Sequence, residues 1–161
     1  MRAGLIATLL VLLLDQAAKT WVLHGSGIPV GDHIPLLGDA AFSLGVGLVF
    51  NPGIVFGTLL PAGGWPQFLV LSLVVLVAVV MLLRMVGSRR VLLNIGRGAV
   101  VGGAVSNLAD RMGRGAVVDY LVVRRGDVGL AFNLADIAVV AGGLLMMGWA
   151  AAYAMTMRRA G

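Results

Sequence analysis

Asp119, in the segment GAVVDY, and Asp136, in FNLADIAVV, are two of seven aspartates, the residue type in this chain that best suits proton-transfer chemistry. Two carboxylates held close together cannot readily both ionise. One then keeps a proton and serves as acid while the other serves as base, the combination that activates water against a carbonyl. The rest of the inventory offers little competition. All seven acids are aspartates, cysteine and glutamate are absent, and the two histidines, His24 and His33, fall in the Gly/Pro-rich start of a loop beside no suitable nucleophile. No HExxH pair, His/Cys cluster or Ser-centred nucleophile elbow occurs. Spacing alone leaves plainer readings open. Asp136 follows Asn133 by three residues, which suits a capping box at a helix N-terminus, and Asp119 among valines reads equally well as a solvated strand residue.

Further polar residues lie inside apolar stretches, where an ionisable side chain costs roughly 2.5–3.5 kcal/mol on insertion scales and so needs a partner or a task. Asp15 and Lys19 are four apart on one helical face; they could neutralise each other, or they could support a site. In GGAVSNLADR, Gly103, Asn107 and Arg111 share a face. The glycines there, with Gly98, Gly102 and Ser106, suit close helix packing. Asn107 and Arg111 do not: an amide and a guanidinium must bond across the bundle, Arg111 to Asp110, to Asp15, or to a substrate carbonyl or phosphate.

These residues are set in a chain of 161 residues that is 60% hydrophobic and 12% charged, with a mean hydropathy of +1.01. Soluble domains carry about twice that charged fraction. Four apolar stretches, about 4–23, 67–86, 91–110 and 133–157, reach the roughly 20 helical residues that cross a bilayer. The first has Asp15 and Lys19 where a cleavage site would need small residues, so it is read as a retained helix. The net charge of +5 follows membrane topology better than nucleic-acid binding. Arg2, Arg84, Arg89, Arg90, Arg158 and Arg159 fall on one side and Arg111, Arg114, Arg124 and Arg125 on the other, while the loop 24–66 has no Lys or Arg. Both termini are therefore expected in the cytoplasm. Residues 42–50 alternate, with Phe42, Leu44, Val46, Leu48 and Phe50 expected on one strand face, and a second strand is expected through Ala116–Val123. Residues 54–60 suit a short interfacial helix. The expected fold is a single domain, 1–161: a membrane all-α bundle of four transmembrane helices with a small extracytoplasmic β-sheet and a short interfacial helix.

DQAAK at 15–19, NPGIVFG at 51–57, GGAVSNLADR at 102–111, VVDY at 117–120 and FNLAD at 132–136 stand in one order on one chain. In that set the chain resembles the lipoprotein signal peptidases, the type II signal peptidases of bacteria, whereas the absence of GxGD counts against presenilin-like and prepilin-type peptidases. The resemblance implies an aspartic peptidase with Asp119 and Asp136 as catalytic dyad. Asp15, Lys19, Asn51, Gly53, Asn107, Arg111 and Asn133 match positions that support the site or contact substrate. It further implies no metal or other cofactor, and a multi-pass enzyme of the bacterial inner membrane with its active site near the extracytoplasmic face. The implied partners are membrane lipid, a diacylglyceryl-modified prolipoprotein cut on the amino side of its lipidated Cys, and a cyclic peptide inhibitor of the globomycin type, but no nucleic acid. Two departures stand out: Ser106 occupies a position where Gly is usual, and Pro52, Ile54 and Val55 replace smaller residues. The rival reading, a small transporter or proton-conducting protein, requires polar residues across the whole membrane, and here they thin out toward one side.

Overall fold

The computed structural model describes residues 1–39, 41–52, 65–126 and 128–160. In chain order the elements are α1 (Arg2–His24), β1 (His33–Gly38), β2 (Phe42–Asn51), α2 (Trp65–Met85), α3 (Val91–Arg114), β3 (Val117–Arg125), β4 (Val128–Phe132) and α4 (Leu134–Ala160). The four helices coincide with the four apolar stretches. By length and composition α1, α3 and α4 can each cross a membrane, whereas the described apolar stretch within α2, Leu71–Met85, is shorter. Their outward faces are apolar too: Leu9, Leu10, Leu13 and Leu14 on α1, Leu73 and Leu76 on α2, and Val140, Leu144 and Met147 on α4 are all exposed. Water would penalise such a surface, while lipid is as apolar as the side chains themselves.

Helix α3 packs against α1, α2 and α4, and its glycines are what allow it to do so. A Cβ at Gly102 would stand 2.6 Å from the Thr8 carbonyl oxygen of α1, and one at Gly98 would overlap the carbonyl of Gly4. On the other flank a Cβ at Gly96 would stand 2.9 Å from the Gly142 carbonyl oxygen of α4, and one at Gly103 would overlap that of Ala135. Backbone therefore meets backbone on both sides, where dispersion and short polar contacts replace the hydrophobic drive that lipid does not supply. Thr8 Oγ1 adds one such contact, 3.1 Å from the Gly98 carbonyl oxygen.

The strands form one antiparallel sheet in the order β1-β2-β3-β4. Strands β2 and β3 answer to the expected segments. Strands β1 and β4 do not follow from the sequence pattern, because β1 carries Pro35 and an irregular register and β4 is five residues running almost directly into a helix. The expected single face of β2 also needs correction. Its register on β3 pairs Val46 with Leu121 but Val49 with Asp119, so one extra residue is inserted between them. That bulge reverses the alternation: Asn51, paired with Val117, shares the face of Asp119, while Phe50 pairs with Val118 on the other face. Leu48 joins Val22, Ile28, Val118 and Tyr120 in the small core between sheet and α1. Residues 54–60, and Gly53 with them, lie outside the described residues.

Candidate active site

Asp136 is placed by the first turn of α4. Asn133 precedes the helix; its Oδ1 accepts from the Asp136 backbone N–H at 2.9 Å, and Asp136 Oδ2 accepts from the Asn133 backbone N–H at 3.3 Å. This is the reciprocal capping box that the spacing suggested. It does not exhaust Asp136, whose Oδ1 accepts a 2.8 Å hydrogen bond from Asn107 Nδ2 of α3.

Asp119 is the third residue of β3 and is buried. Its Oδ2 accepts from Asn51 Nδ2 at 3.0 Å and its Oδ1 from Asn133 Nδ2 at 2.6 Å. Asn133 therefore touches both carboxylates, Asp119 through its amide nitrogen and Asp136 through its capping contacts. Its amide cannot be turned round, since the Asp136 N–H only donates and must meet the oxygen.

The same logic orients Asn107. Lys19 Nζ lies 2.9 Å from Asn107 Oδ1, and an ammonium can only donate, so the Asn107 NH₂ is left facing Asp136. The other two Lys19 donors reach Asp15 Oδ2 at 2.6 Å and Asp110 Oδ2 at 2.8 Å, all three side chains being fully buried. Asp15 is held further by Ser106 Oγ at 2.7 Å, the Tyr120 hydroxyl at 3.1 Å and the Ala135 N–H at 3.1 Å. Asp110 takes Gln16 Nε2, Arg114 Nη1 and the Val118 N–H. The buried carboxylates of Asp15 and Asp110 are thus balanced by the buried Lys19 and by Arg114, which reaches in from a partly exposed position, and their oxygens are well supplied with donors, the condition under which buried ions are tolerable.

Asp119 and Asp136 line one cavity of about 420 Å³ together with Asn51, Asn107 and Arg111. Leu71, Leu73, Val74 and Val77 of α2, with Val139 and Val140 of α4, complete an apolar wall. Asp119 and Asn51 also border a second cavity of similar volume over the sheet, lined by Asp32, His33 and Arg124. Burial pushes the Asp119 carboxyl up to about 6, against the hydrogen bonds from Asn51 and Asn133 and with help from the charge of Asp136. A carboxyl in this range can hold or release a proton near neutrality. Burial and the neighbouring Asp15 likewise push the Tyr120 hydroxyl up, leaving it a neutral donor.

The structure thus brings Asp119, Asp136, Asn51, Asn107 and Arg111 to one cavity, with Asn133 bonded to both carboxylates and Asp15 and Lys19 packed behind them. Arg111 Nη1 donates to the Asn107 carbonyl at 3.3 Å, while Asp110 and Asp15, offered as its partners, are the anions of Lys19 and Arg114. Sequence reasoning passed over Gln16 and Tyr120. Both sit one residue from a singled-out aspartate, but only the tertiary contacts show what their polar atoms meet. Ser106, noted as a departure, has a task here in binding Asp15.

A family described as signal peptidase (SPase) II matches residues 7–151. A lipoprotein signal peptidase of Rhodopseudomonas palustris (strain TIE-1) is 34% identical over 146 residues, covering 88% of this chain and 87% of that protein. One from Pelotomaculum thermopropionicum is 38% identical over 140 residues, covering 87% and 85%. A solved structure described as a bacterial membrane enzyme, obtained by the in meso method, superposes with a TM-score of 0.73 at 20% identity, covering 91% of this chain and 86% of that one, which speaks for the fold. With a family match across most of its length, and apolar helices suited to a membrane, the chain belongs to the signal peptidase II family, the lipoprotein signal peptidases.

Proposed function

We propose that this peptidase is of the aspartic type, that Asp119 and Asp136 are its catalytic pair, and that it cuts diacylglyceryl-modified prolipoproteins on the amino side of the lipidated Cys. The observation that carries the reading is the sharing of one cavity by two carboxylates whose donors are asparagine amides of fixed orientation. One carboxylate takes a proton from water as it attacks the scissile carbonyl. The other, protonated, donates to the developing oxyanion and then passes its proton to the departing amine. Asp119, raised to about 6, can retain a proton near neutrality, as the acid member of such a pair must. Arg111, on the cavity wall, suits a substrate carbonyl.

The apolar wall gives the substrate's lipid and signal-peptide helix a surface to lie on while the scissile bond stays at the polar end. This reading takes α2 as a fourth span, both termini as cytoplasmic from the arginine distribution, and the sheet and carboxylates as facing outward. A cyclic peptide of the globomycin type would compete for the same cavity, and Gly53, two residues beyond Asn51 in the sequence, is taken as a further supporting residue.

The test is cleavage by the purified protein of a precursor with and without its diacylglyceryl group. The lipidated form is expected to be cut and the bare form left essentially intact, while Asp119→Asn and Asp136→Asn each abolish turnover with the protein still folded. Full activity in either variant removes that aspartate from the mechanism.

A further inference from the structure

A helix leaves four backbone N–H groups without intrahelical partners at its start. At the start of α4 every one is taken. The Asn133 and Asp136 N–H groups are satisfied within the capping box. The two between them are satisfied from other elements: the Leu134 N–H donates to the Tyr120 hydroxyl of β3 at 3.1 Å, and the Ala135 N–H to Asp15 Oδ1 of α1 at 3.1 Å. Those acceptors are themselves joined, because the Tyr120 hydroxyl donates to Asp15 Oδ1 at 3.1 Å. All three groups are shielded, with Tyr120 7% exposed and Asp15 and Ala135 at 0%.

Tyr120 immediately follows Asp119, and adjacent strand residues point to opposite faces. Strand β3 therefore turns Asp119 into the cavity and, with its next side chain, grips the helix that carries Asp136. We infer that Tyr120 is a positioning residue, its hydroxyl latching the α4 N-terminus and so setting the separation of the two carboxylates. The inference rests on the proposed Asp119/Asp136 peptidase reading for its catalytic consequence, but the latch is a structural claim that can be read without activity. The ring packs with Val22, Ile28, Leu48 and Val118, so Tyr120→Phe removes one oxygen and keeps the packing. It strands the Leu134 N–H and takes one donor from Asp15.

Misplacing reacting groups by about 1 Å costs on the order of 100-fold in rate, and a partial release of the helix end is expected to lower kcat roughly 10- to 100-fold. KM stays within about twofold of wild type, because the apolar wall that holds the substrate is untouched. Val22→Ala trims the same core without touching the latch and separates positioning from general destabilisation. It lowers Tm yet keeps kcat near wild type. Hydrogen exchange gives the independent measurement: in the wild type the Leu134 and Ala135 amides exchange as slowly as amides inside α4, and in Tyr120→Phe the Leu134 amide is selectively released. Fast exchange of both amides in the wild type overturns the latch even if the variant does not fold. So does wild-type kcat in Tyr120→Phe, or an equal fall of kcat in Val22→Ala. A wild-type protein that cuts no lipidated precursor, but shows the protected Leu134 and Ala135 amides, would sink the peptidase reading and leave the latch standing.

Discussion

Lys19→Met removes the central cation from a buried cluster in which Asp15 and Asp110 are both fully shielded from solvent. Arg114 remains on Asp110, so the uncompensated charge falls on Asp15. Removing one partner of a buried ion pair typically costs about 3–5 kcal/mol, and with Asp15 so completely shielded the upper part of that range is expected. The rescue is Asp15→Asn in the same protein. Its Oδ1 can still accept from the Tyr120 hydroxyl and the Ala135 N–H, its NH₂ can donate to Ser106 Oγ once that hydroxyl turns, and the cluster is neutral again. Unfolding in mixed micelles, followed through the chain's three tryptophans, should show the double variant recovering about 2 kcal/mol or more relative to additivity. Activity is expected to fall in that rescued protein, because the introduced thioether has no donor for Asn107 Oδ1 and only the longer 3.2 Å contact from Asn133 Nδ2 is left to keep the amide turned toward Asp136. A loss below about 1 kcal/mol in Lys19→Met, or an Asp15→Asn change that adds to the loss, would show that the cluster carries no buried charge balance.

Since the Asp119 carboxyl is raised to about 6, a reaction that needs it protonated loses that form as pH rises, and kcat/KM of the free enzyme is expected to fall through about pH 6. Asn51→Ala removes a hydrogen bond that favours the ionised form, and a pH–rate profile should place its midpoint higher; an unmoved or lower midpoint contradicts the assignment. Gly98→Ala drives a methyl into the Gly4 carbonyl and should cost about 1–3 kcal/mol by thermal or detergent unfolding, whereas Gly143→Ala on α4, which meets nothing within 4 Å, should be neutral or slightly stabilising. Ser106→Ala deprives Asp15 of a buried donor and is expected to cost about 1–2 kcal/mol, read as a fall in Tm of a few degrees.

Hydropathy marks the helices because lipid demands long apolar runs, and the four expected stretches coincide with α1, α2, α3 and α4. The conspicuous polar residues were legible for the same reason: a charge or amide in such a run must be explained, and Asp15, Lys19, Asn107 and Arg111 all turn out to be engaged. The glycines of α3 were legible as packing residues, though not which helix each would meet. Local pattern was weaker in the sheet. Strands β1 and β4 are short and lack alternation, and their pairing depends on partners distant in the chain.

By itself the sequence determined a membrane protein, the positions of its helices and, through five ordered motifs, the family, and it offered the capping box at Asn133 and Asp136 as one reading of that spacing. Only the tertiary structure decided which polar atoms meet. The bulge in β2 turns Asn51 to the face of Asp119, an ammonium orients the Asn107 amide, and a strand hydroxyl reaches the first turn of α4. Each of these is an encounter between groups far apart in the chain, whose geometry depends on register and helix packing. Periodicity reports which face of an element is buried, and it carries no information about what waits on the other side.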